Sequence, residues 1–188
     1  MSQNPSAPNL LWRTRTYLVG HMEHVSAHEG ESWRDRLTPA LEKMGIIVFN
    51  PYHKPFITDV DEGADARDRR IKLRTDGEFD TLGEQMRSIR AFDLSLCDRA
   101  DFIIAHIKPT VASWGSCDEV LTSNRMKKPI FLSVEGGKKS CPLWLFGVIP
   151  HKYIYDSPDG ILSMIQGIDN GKCTTDSSRW RLLRKEYR

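Results

Sequence analysis

The chain has 188 residues, and its 27 Lys and Arg residues nearly balance its 25 Asp and Glu residues, which gives a formal net charge of +2. This length fits one domain with a full hydrophobic core, so we expect a single domain over residues 1–188. The charge balance argues against a nucleic acid polymer as the main ligand, because proteins that bind one usually carry a large basic excess. Small nucleotides remain compatible with it.

The cysteines and the amino-terminal residues indicate the compartment. Four cysteines are scattered without a C-x-x-C pair, and no His/Cys cluster has the spacing of zinc ligands. We therefore expect a reduced cytoplasmic protein without a metal site. The first nine residues are polar, and no run of about 18 apolar residues occurs, so we expect neither export nor a membrane partner.

The first 50 residues predict a strand, a helix and a second strand. Residues 17–20 (YLVG) form a short apolar run that suits a buried strand. Ser32 is expected to cap a helix with apolar residues at near-helical spacing, and Gly45 is expected to end it. Residues 46–49 (IIVF) are apolar and rich in β-branched side chains, as in a second buried strand. This is a βαβ unit, whose crossover is almost always right-handed.

Residues 52–77 interrupt this regularity with a highly charged stretch, which we interpret as an insertion after the second strand. Its basic side chains are most simply a solvated face, and a lid or a phosphate contact is the alternative. The side chains in question are Arg67, Arg69, Arg70, Lys72 and Arg74.

The remaining residues continue the alternation of helices and strands. Helical patterns occur at 78–99 and 157–168, and strand patterns at 101–106, 129–132 and 153–155. The tail, residues 169–188, is polar apart from a few apolar side chains, of which Trp180 and Leu183 suit docking on a neighbouring subunit. The alternation predicts a three-layer α/β/α fold of the flavodoxin or Rossmann type, with a parallel sheet of about five strands.

The residues between the third strand and the next helix form the main candidate site. Residues 113–119 (SWGSCDE) place a Gly/Ser turn at the start of a helix, where exposed backbone N–H groups and the helix dipole favour an anion. Glu119 is expected within the first helical turn. Because ligands of such sheets bind beyond the carboxyl ends of the strands, we expect Gly20 and His21, which follow the first strand, to converge on the same edge.

Several short motifs in this order resemble the nucleoside 2-deoxyribosyltransferase superfamily, including its nucleotide N-glycosidase branch. The matching pieces are residues 17–22 (YLVGHM), 48–51 (VFNP), Asp93-Leu94 with Ala100-Asp101, Gly115-Ser116-x-x-Glu119 and Lys128-Pro129-Ile130. Together they span most of residues 16–132.

The resemblance implies a site and a reaction. It makes Glu119 the nucleophile that attacks the anomeric carbon of a (deoxy)ribosyl group. It makes Asp93 the residue that contacts or protonates the departing base, and Tyr17 the residue that helps to hold the glutamate. A base that accepts the sugar gives a transferase and water gives a hydrolase, with no cofactor. Gly115, Ser116 and Asp101 are candidate substrate contacts, and members of the family form homo-oligomers.

Ser113 bears on the substrate. Transferases that act on free nucleosides tend to have an aspartate six residues before the nucleophile, where it holds the sugar 5′-hydroxyl. A serine there resembles the nucleotide-hydrolase branch, in which it contacts a 5′-phosphate. A hydroxyl beside helix amides suits a phosphate, whereas an aspartate would repel one. Gly20 and His21 are expected to form a second wall of the phosphate site.

Simpler interpretations accompany these expectations. Ser116-x-x-Glu119 is also a capping box, in which Glu119 would only stabilise the start of the helix. Asp118 is expected to interact with the helix dipole, and Trp114 either lines the pocket or plugs the turn. For the whole chain, the alternatives are a glycohydrolase of the NAD type and a non-catalytic nucleotide-binding module.

Overall fold

The fold is seen in a computed structural model, which describes residues 9–22, 27–53 and 61–184. For residues 27–31 it describes the backbone alone.

Five parallel strands form one sheet. They are β1 (Arg15–Gly20), β2 (Ile47–Phe49), β3 (Phe102–Ile107), β4 (Ile130–Val134) and β5 (Ile154–Tyr155). Their order is β2-β1-β3-β4-β5, the order of flavodoxin-like folds. The predicted fold class and strand number are therefore confirmed.

The described helices cover both faces of the sheet. They are α1 (Ala27–Lys43), α2 (Ala64–Asp76), α3 (Phe79–Arg99), α4 (Trp114–Arg125) and α5 (Pro158–Asp169). Helix α1 packs with α5, α3 packs with α4, and α2 lies on α3. Within the described ranges, no helix is long and apolar enough to cross a membrane.

Two helices differ from the sequence-based expectation. Helix α1 begins at Ala27, so Ser32 lies inside the helix and the prediction that it caps the first turn is wrong. The charged stretch after β2 contains α2, which the sequence hid because the helix buries only Ala66 and so lacks an apolar stripe.

The tail also differs from expectation. Trp180 is 1% exposed, and its ring lies 5.6 Å from that of Phe102 and 5.8 Å from that of Phe131. Leu183 is partly buried against the same core. The prediction that these two side chains dock on a neighbour is therefore wrong for Trp180, because an indole of this size completes the chain's own core.

The sheet order determines where a ligand would bind. The chain leaves β1 for β2 on one side and later enters β3 on the other side of β1, so the topological switch point lies between β1 and β3. Gly20 pairs in register with His106, which places the carboxyl ends of β1 and β3 side by side.

We predict that Trp180→Ala lowers the free energy of unfolding by about 3–5 kcal/mol, because it empties a buried indole site. Urea unfolding followed by circular dichroism measures the loss. Trp114→Ala is the matched control, since Trp114 is 86% exposed, and we expect it to change stability by about 0.5 kcal/mol or less. Equal losses in the two variants would contradict the core assignment of Trp180.

Candidate active site

Glu119 is held in the interior by a tyrosine from the sheet. It is the sixth residue of α4, so it lies in the second turn and not in the first turn as the sequence suggested. Its side chain is buried, and Oε1 accepts a hydrogen bond of 2.8 Å from the hydroxyl of Tyr17 in β1. The hydrogen bond joins the middle of β1 to α4 and fixes the direction of the carboxyl group.

Asp93 brings a second carboxyl group to Glu119. It lies on α3, is buried, and acts electrostatically on Glu119. Burial, the negative charge of Asp93 and that of Glu62 raise the pKa of Glu119 to about 8, although the Tyr17 hydrogen bond and Arg34 act in the opposite direction. In the protein without substrate, Glu119 is therefore mostly protonated at neutral pH. Burial raises the pKa of Tyr17, so its hydroxyl remains a hydrogen-bond donor.

The turn before α4 presents hydroxyl groups. Ser113 is the residue before the helix, and its hydroxyl donates a 2.7 Å hydrogen bond to that of Ser116. Ser116 lies inside the first turn, and Glu119 binds Tyr17, so the capping-box interpretation is wrong. Gly115 also lies in this first turn, where a side chain would meet open space. Trp114 is largely exposed and does not plug the turn.

Asp118 has a different role from its neighbour. Its carboxylate accepts a 2.8 Å hydrogen bond from Nε of Arg90 on α3 and is partly exposed. The expectation that it mainly meets the helix dipole is therefore wrong, because an ion pair between helices occupies it. Adjacent carboxyl groups on α4 thus lie in unlike settings, one buried beside Tyr17 and one at the surface.

His21 and Gly20 lie at the carboxyl end of β1. His21 accepts a hydrogen bond at Nε2 from the backbone N–H of Lys108, which leaves its proton on Nδ1. Nδ1 is buried and has no partner among the described residues. Burial, followed by the charge of Arg34, lowers the pKa of His21, so the ring is neutral. Gly20 is packed tightly, because a Cβ there would lie 3.0 Å from both the His106 carbonyl and the Trp33 ring.

A cleft of about 210 Å³ opens between His21 and the start of α4. Its lining is mostly apolar and includes Trp144, and its polar members include His21, Lys108, Ser113 and Ser116. The structure thus brings His21, Ser113 and Ser116 together around one cavity, as the sequence predicts.

Asp101 does not join this group. It precedes β3, at the amino edge of the sheet, and its carboxylate forms two 3.1 Å hydrogen bonds with the guanidinium of Arg15. The site lies at the opposite, carboxyl edge, so the expectation that Asp101 contacts substrate does not fit the structure.

Arg34 is a charged residue of the site that sequence reasoning missed. It is fully buried in α1 and donates hydrogen bonds to the carbonyl groups of Leu18 (3.2 Å) and Gly20 (3.0 Å) in β1. Its positive charge lowers the pKa of Glu119. One signal was available, because Arg34 falls on the same helical stripe as Leu37 and Leu41, where an apolar residue is expected.

In the described part of the chain, no group of three or more His, Cys, Asp or Glu side chains is arranged to hold a metal ion. The chemistry that the site offers with its own residues is that of two buried carboxyl groups, a tyrosine donor and a hydroxyl-lined helix start.

We predict that Glu119→Gln increases the stability of the protein at alkaline pH. The folded-state pKa of about 8 lies above the value of 4.5 for a free glutamate. The contribution of neutral Glu119 to the free energy of unfolding is therefore fully present below about pH 4.5. It falls by about 1.4 kcal/mol per pH unit until about pH 8. The amide cannot ionise, so its advantage over wild type should grow across this window and then stay constant.

Urea unfolding at pH 5, 7 and 9 measures this advantage. Glu42→Gln, at an exposed position of α1, is the matched control and should follow wild type at each pH. An advantage of Glu119→Gln that is the same at pH 5 and pH 9 would show that Glu119 ionises normally.

Comparison with known proteins gives a fold and no closer sequence relationship. No protein-family model matches the chain, and no curated protein matches it. Among solved structures, a 2-deoxyribosyltransferase of Bacillus psychrosaccharolyticus superposes with a TM-score of 0.54 at 14% sequence identity, over 79% of this chain and 90% of that chain. A CMP N-glycosidase of Clostridium botulinum shows 19% identity over 81% of this chain and 98% of that chain, with a TM-score of 0.44.

These identities are low, so the comparison bears on the arrangement of the sheet and helices. At that level it agrees with the resemblance that the sequence motifs indicate. The chain shares its fold with this 2-deoxyribosyltransferase.

Proposed function

We propose that this protein is an enzyme that cleaves the N-glycosidic bond of a (deoxy)nucleoside or its 5′-monophosphate, with Glu119 as nucleophile. The observation that carries the proposal is the buried Glu119 carboxyl group, which Tyr17 holds at 2.8 Å beside Asp93. A shared fold with a 2-deoxyribosyltransferase agrees with it. A carboxyl group that is shielded from water and oriented by one hydrogen-bond donor is suited to act as a nucleophile, unlike a solvated carboxylate at the surface.

The two carboxyl groups would divide the chemistry between them. Like charges at close range oppose the ionisation of both groups, so the pair holds one proton in its working state. The nucleophile must be the ionised form of Glu119, which the Tyr17 hydroxyl and the Arg34 charge favour, so in the reacting state the proton that Glu119 holds in the free protein has passed to Asp93. This assignment makes Glu119 the nucleophile and Asp93 the acid.

The reaction proceeds in two balanced steps. A Glu119 oxygen attacks the anomeric carbon as the carbon–nitrogen bond breaks. The electron pair of that bond goes to the base nitrogen, or to a conjugated atom of the base, which takes the proton of Asp93. Water or a second base then attacks the same carbon and releases Glu119, and the proton of the attacking group returns to Asp93. Both carboxyl groups end in their starting forms.

The start of α4 would hold a 5′-phosphate. The Ser113 and Ser116 hydroxyls lie there beside the free backbone N–H groups of the first helical turn. His21, whose Nδ1–H is buried and has no partner among the described residues, also lines the cleft. All of these groups donate hydrogen bonds and none of them is an acid, which favours a dianion. The predicted homo-oligomer stays a prediction.

We predict that Glu119→Gln and Glu119→Ala reduce the release of free base by about a thousandfold or more, because the step that breaks the bond loses its nucleophile. Chromatography of reactions with deoxynucleosides and their 5′-monophosphates, with and without an acceptor base, measures the release. Asp118→Asn is the matched control: it removes a neighbouring carboxylate at the surface, and we expect near wild-type activity.

The same panel separates the alternatives. Full activity of Glu119→Ala would overturn the mechanism. Binding of nucleotides by wild type without any release of base would favour a binding module, and release of nicotinamide from NAD in preference to any base would favour a glycohydrolase of that type.

We predict that Ser113→Asp lowers the rate with a monophosphate relative to the rate with the matching nucleoside by about tenfold or more, because the new carboxylate repels the phosphate. The ratio of the two kcat/KM values measures the effect. Ser113→Ala removes the hydroxyl without adding charge and should cause a smaller fall. Ser163→Asp, on the exposed face of α5, should leave the ratio unchanged. An unchanged ratio in Ser113→Asp would contradict the assignment of the 5′-phosphate to this end of the cleft.

A further inference from the structure

A second cavity, of about 220 Å³, lies between α2 and α3. Three guanidinium groups of α2 line it, those of Arg67, Arg70 and Arg74, and one carboxylate, that of Glu62, lies among them. The remaining wall is apolar and includes Met22, Met86 and Ile89. The cavity therefore combines apolar side chains with a net surplus of positive charge.

This cavity adjoins the carboxyl pair. Met22 directly follows His21 at the end of β1, and Ile89 lies one helical turn before Asp93 on the same side of α3. Glu62, in its wall, is close enough to Glu119 to act on it electrostatically. These relationships place the cavity near the carboxyl pair, on the side of α3.

The two cavities are distinct, because they have no lining residue in common. The cleft at the start of α4 contains Ser113, Ser116 and His21, and the cavity at α2 contains Met22, Met86 and Ile89. A sugar positioned over Glu119 would direct its 5′ end to the first cavity and its base to the second. The group expected to protonate the base is also the one on the side of the second cavity.

We propose that the cavity between α2 and α3 receives the base of the substrate and selects keto bases over amino bases. The proposal rests on the proposed glycosidic cleavage, whose reaction it takes as given, and concerns which base the enzyme accepts. Keto bases here are those with a carbonyl oxygen on the six-membered ring where adenine and cytosine carry an amino group.

The selection follows from the hydrogen-bonding character of arginine. A guanidinium only donates, so it pairs with carbonyl oxygens and ring nitrogens and leaves an amino group unpaired. Its two-pronged edge matches the O6 and N7 acceptors of a 6-oxopurine, and one prong matches O4 of a 4-oxopyrimidine. An amino group in the same place would meet a donor, and a buried donor that faces another donor is costly.

Arg70 is the best-placed of the three. Its Nη2 donates a 2.6 Å hydrogen bond to the carbonyl of Asp61, which anchors the side chain. Its Nε is buried and has no partner among the described residues. The anchor restricts the guanidinium, so binding of a ligand in the cavity needs little reordering of this side chain.

The experiment compares bases that differ at one position. Deoxyinosine and deoxyadenosine 5′-monophosphates differ only at C6, and those of deoxyuridine and deoxycytidine only at C4. We expect wild type to use the keto member of each pair about tenfold better or more. Arg70→Met, of similar length without donors, should lower kcat/KM for the keto member by about ten- to hundredfold and change the amino member less, so that the preference shrinks.

Two further variants protect this result from a folding artefact. Arg74→Met keeps the anchor of Arg70 and should reduce the preference in the same direction. Arg87 lies at an exposed position of α3 outside the cavity lining, so Arg87→Met should leave the preference for keto bases unchanged. Thermal unfolding of each variant shows whether the fold is retained.

The outcomes separate this proposal from the proposed function. If base is released but both pairs react alike, or Arg70→Met and Arg74→Met keep the wild-type preference, the base selection is wrong and the glycosidic cleavage stands. An equal loss for every monophosphate but none for nucleosides would assign the cavity to phosphate and overturn the proposal. If no base is released at all, the proposed function fails. Calorimetric binding of inosine and adenosine monophosphates to wild type and Arg70→Met then still decides the preference.

Discussion

The hydrogen bond between Tyr17 and Glu119 is the interaction on which the site depends. It crosses from the middle of the sheet to the helix that follows β3, and it is formed away from water. In such surroundings a hydrogen bond to a carboxylate is stronger than at the surface, and the desolvation of the carboxylate is also more costly. The balance of these two effects, together with the charge of Asp93, keeps the pKa of Glu119 close to neutral pH.

That balance sets requirements on the surrounding fold. Tyr17 comes from a strand that is paired on both sides, with β2 and β3, so its position does not follow movements of α4. The compensating charge of Arg34 is bound to the carbonyl groups of the same strand, so the positive and negative groups of the site share one rigid support. Gly20 lets this arginine and the neighbouring strand approach closely, since a side chain there would collide with both.

Much of the fold could be predicted from local pattern. The apolar runs at β1, β3 and β4 are continuous because these strands are covered on both faces, and alternation with helices then implies a parallel sheet. Helix α2 could not be predicted, because a helix that buries one alanine carries no periodic signal. The place of Trp180 could not be predicted either, since an aromatic residue in a polar tail fits an outer contact and an inner one equally well.

The site was predictable where it rested on a short motif and not where it rested on distant residues. Glu119, Ser113 and His21 lie beside strand ends that the pattern reveals. Asp101 also lies beside a strand, but at its amino end, and pattern alone did not make that difference decisive. Arg34 and Glu62 act on Glu119 across the fold, and their charges could be assigned to the site only when the packing was known.

Helix α2 has a consequence for how this protein could change over time. It rests on α3 and contributes one buried alanine, whereas the groups around Glu119 come from β1, α1, α3 and α4. Most substitutions on α2 therefore cost little folding free energy and leave the carboxyl pair in place. If the cavity beside α2 selects the base, the base specificity of the enzyme and its catalytic chemistry depend on separate parts of the chain. Substitutions on α2 could then change the base specificity while the catalytic residues stay the same.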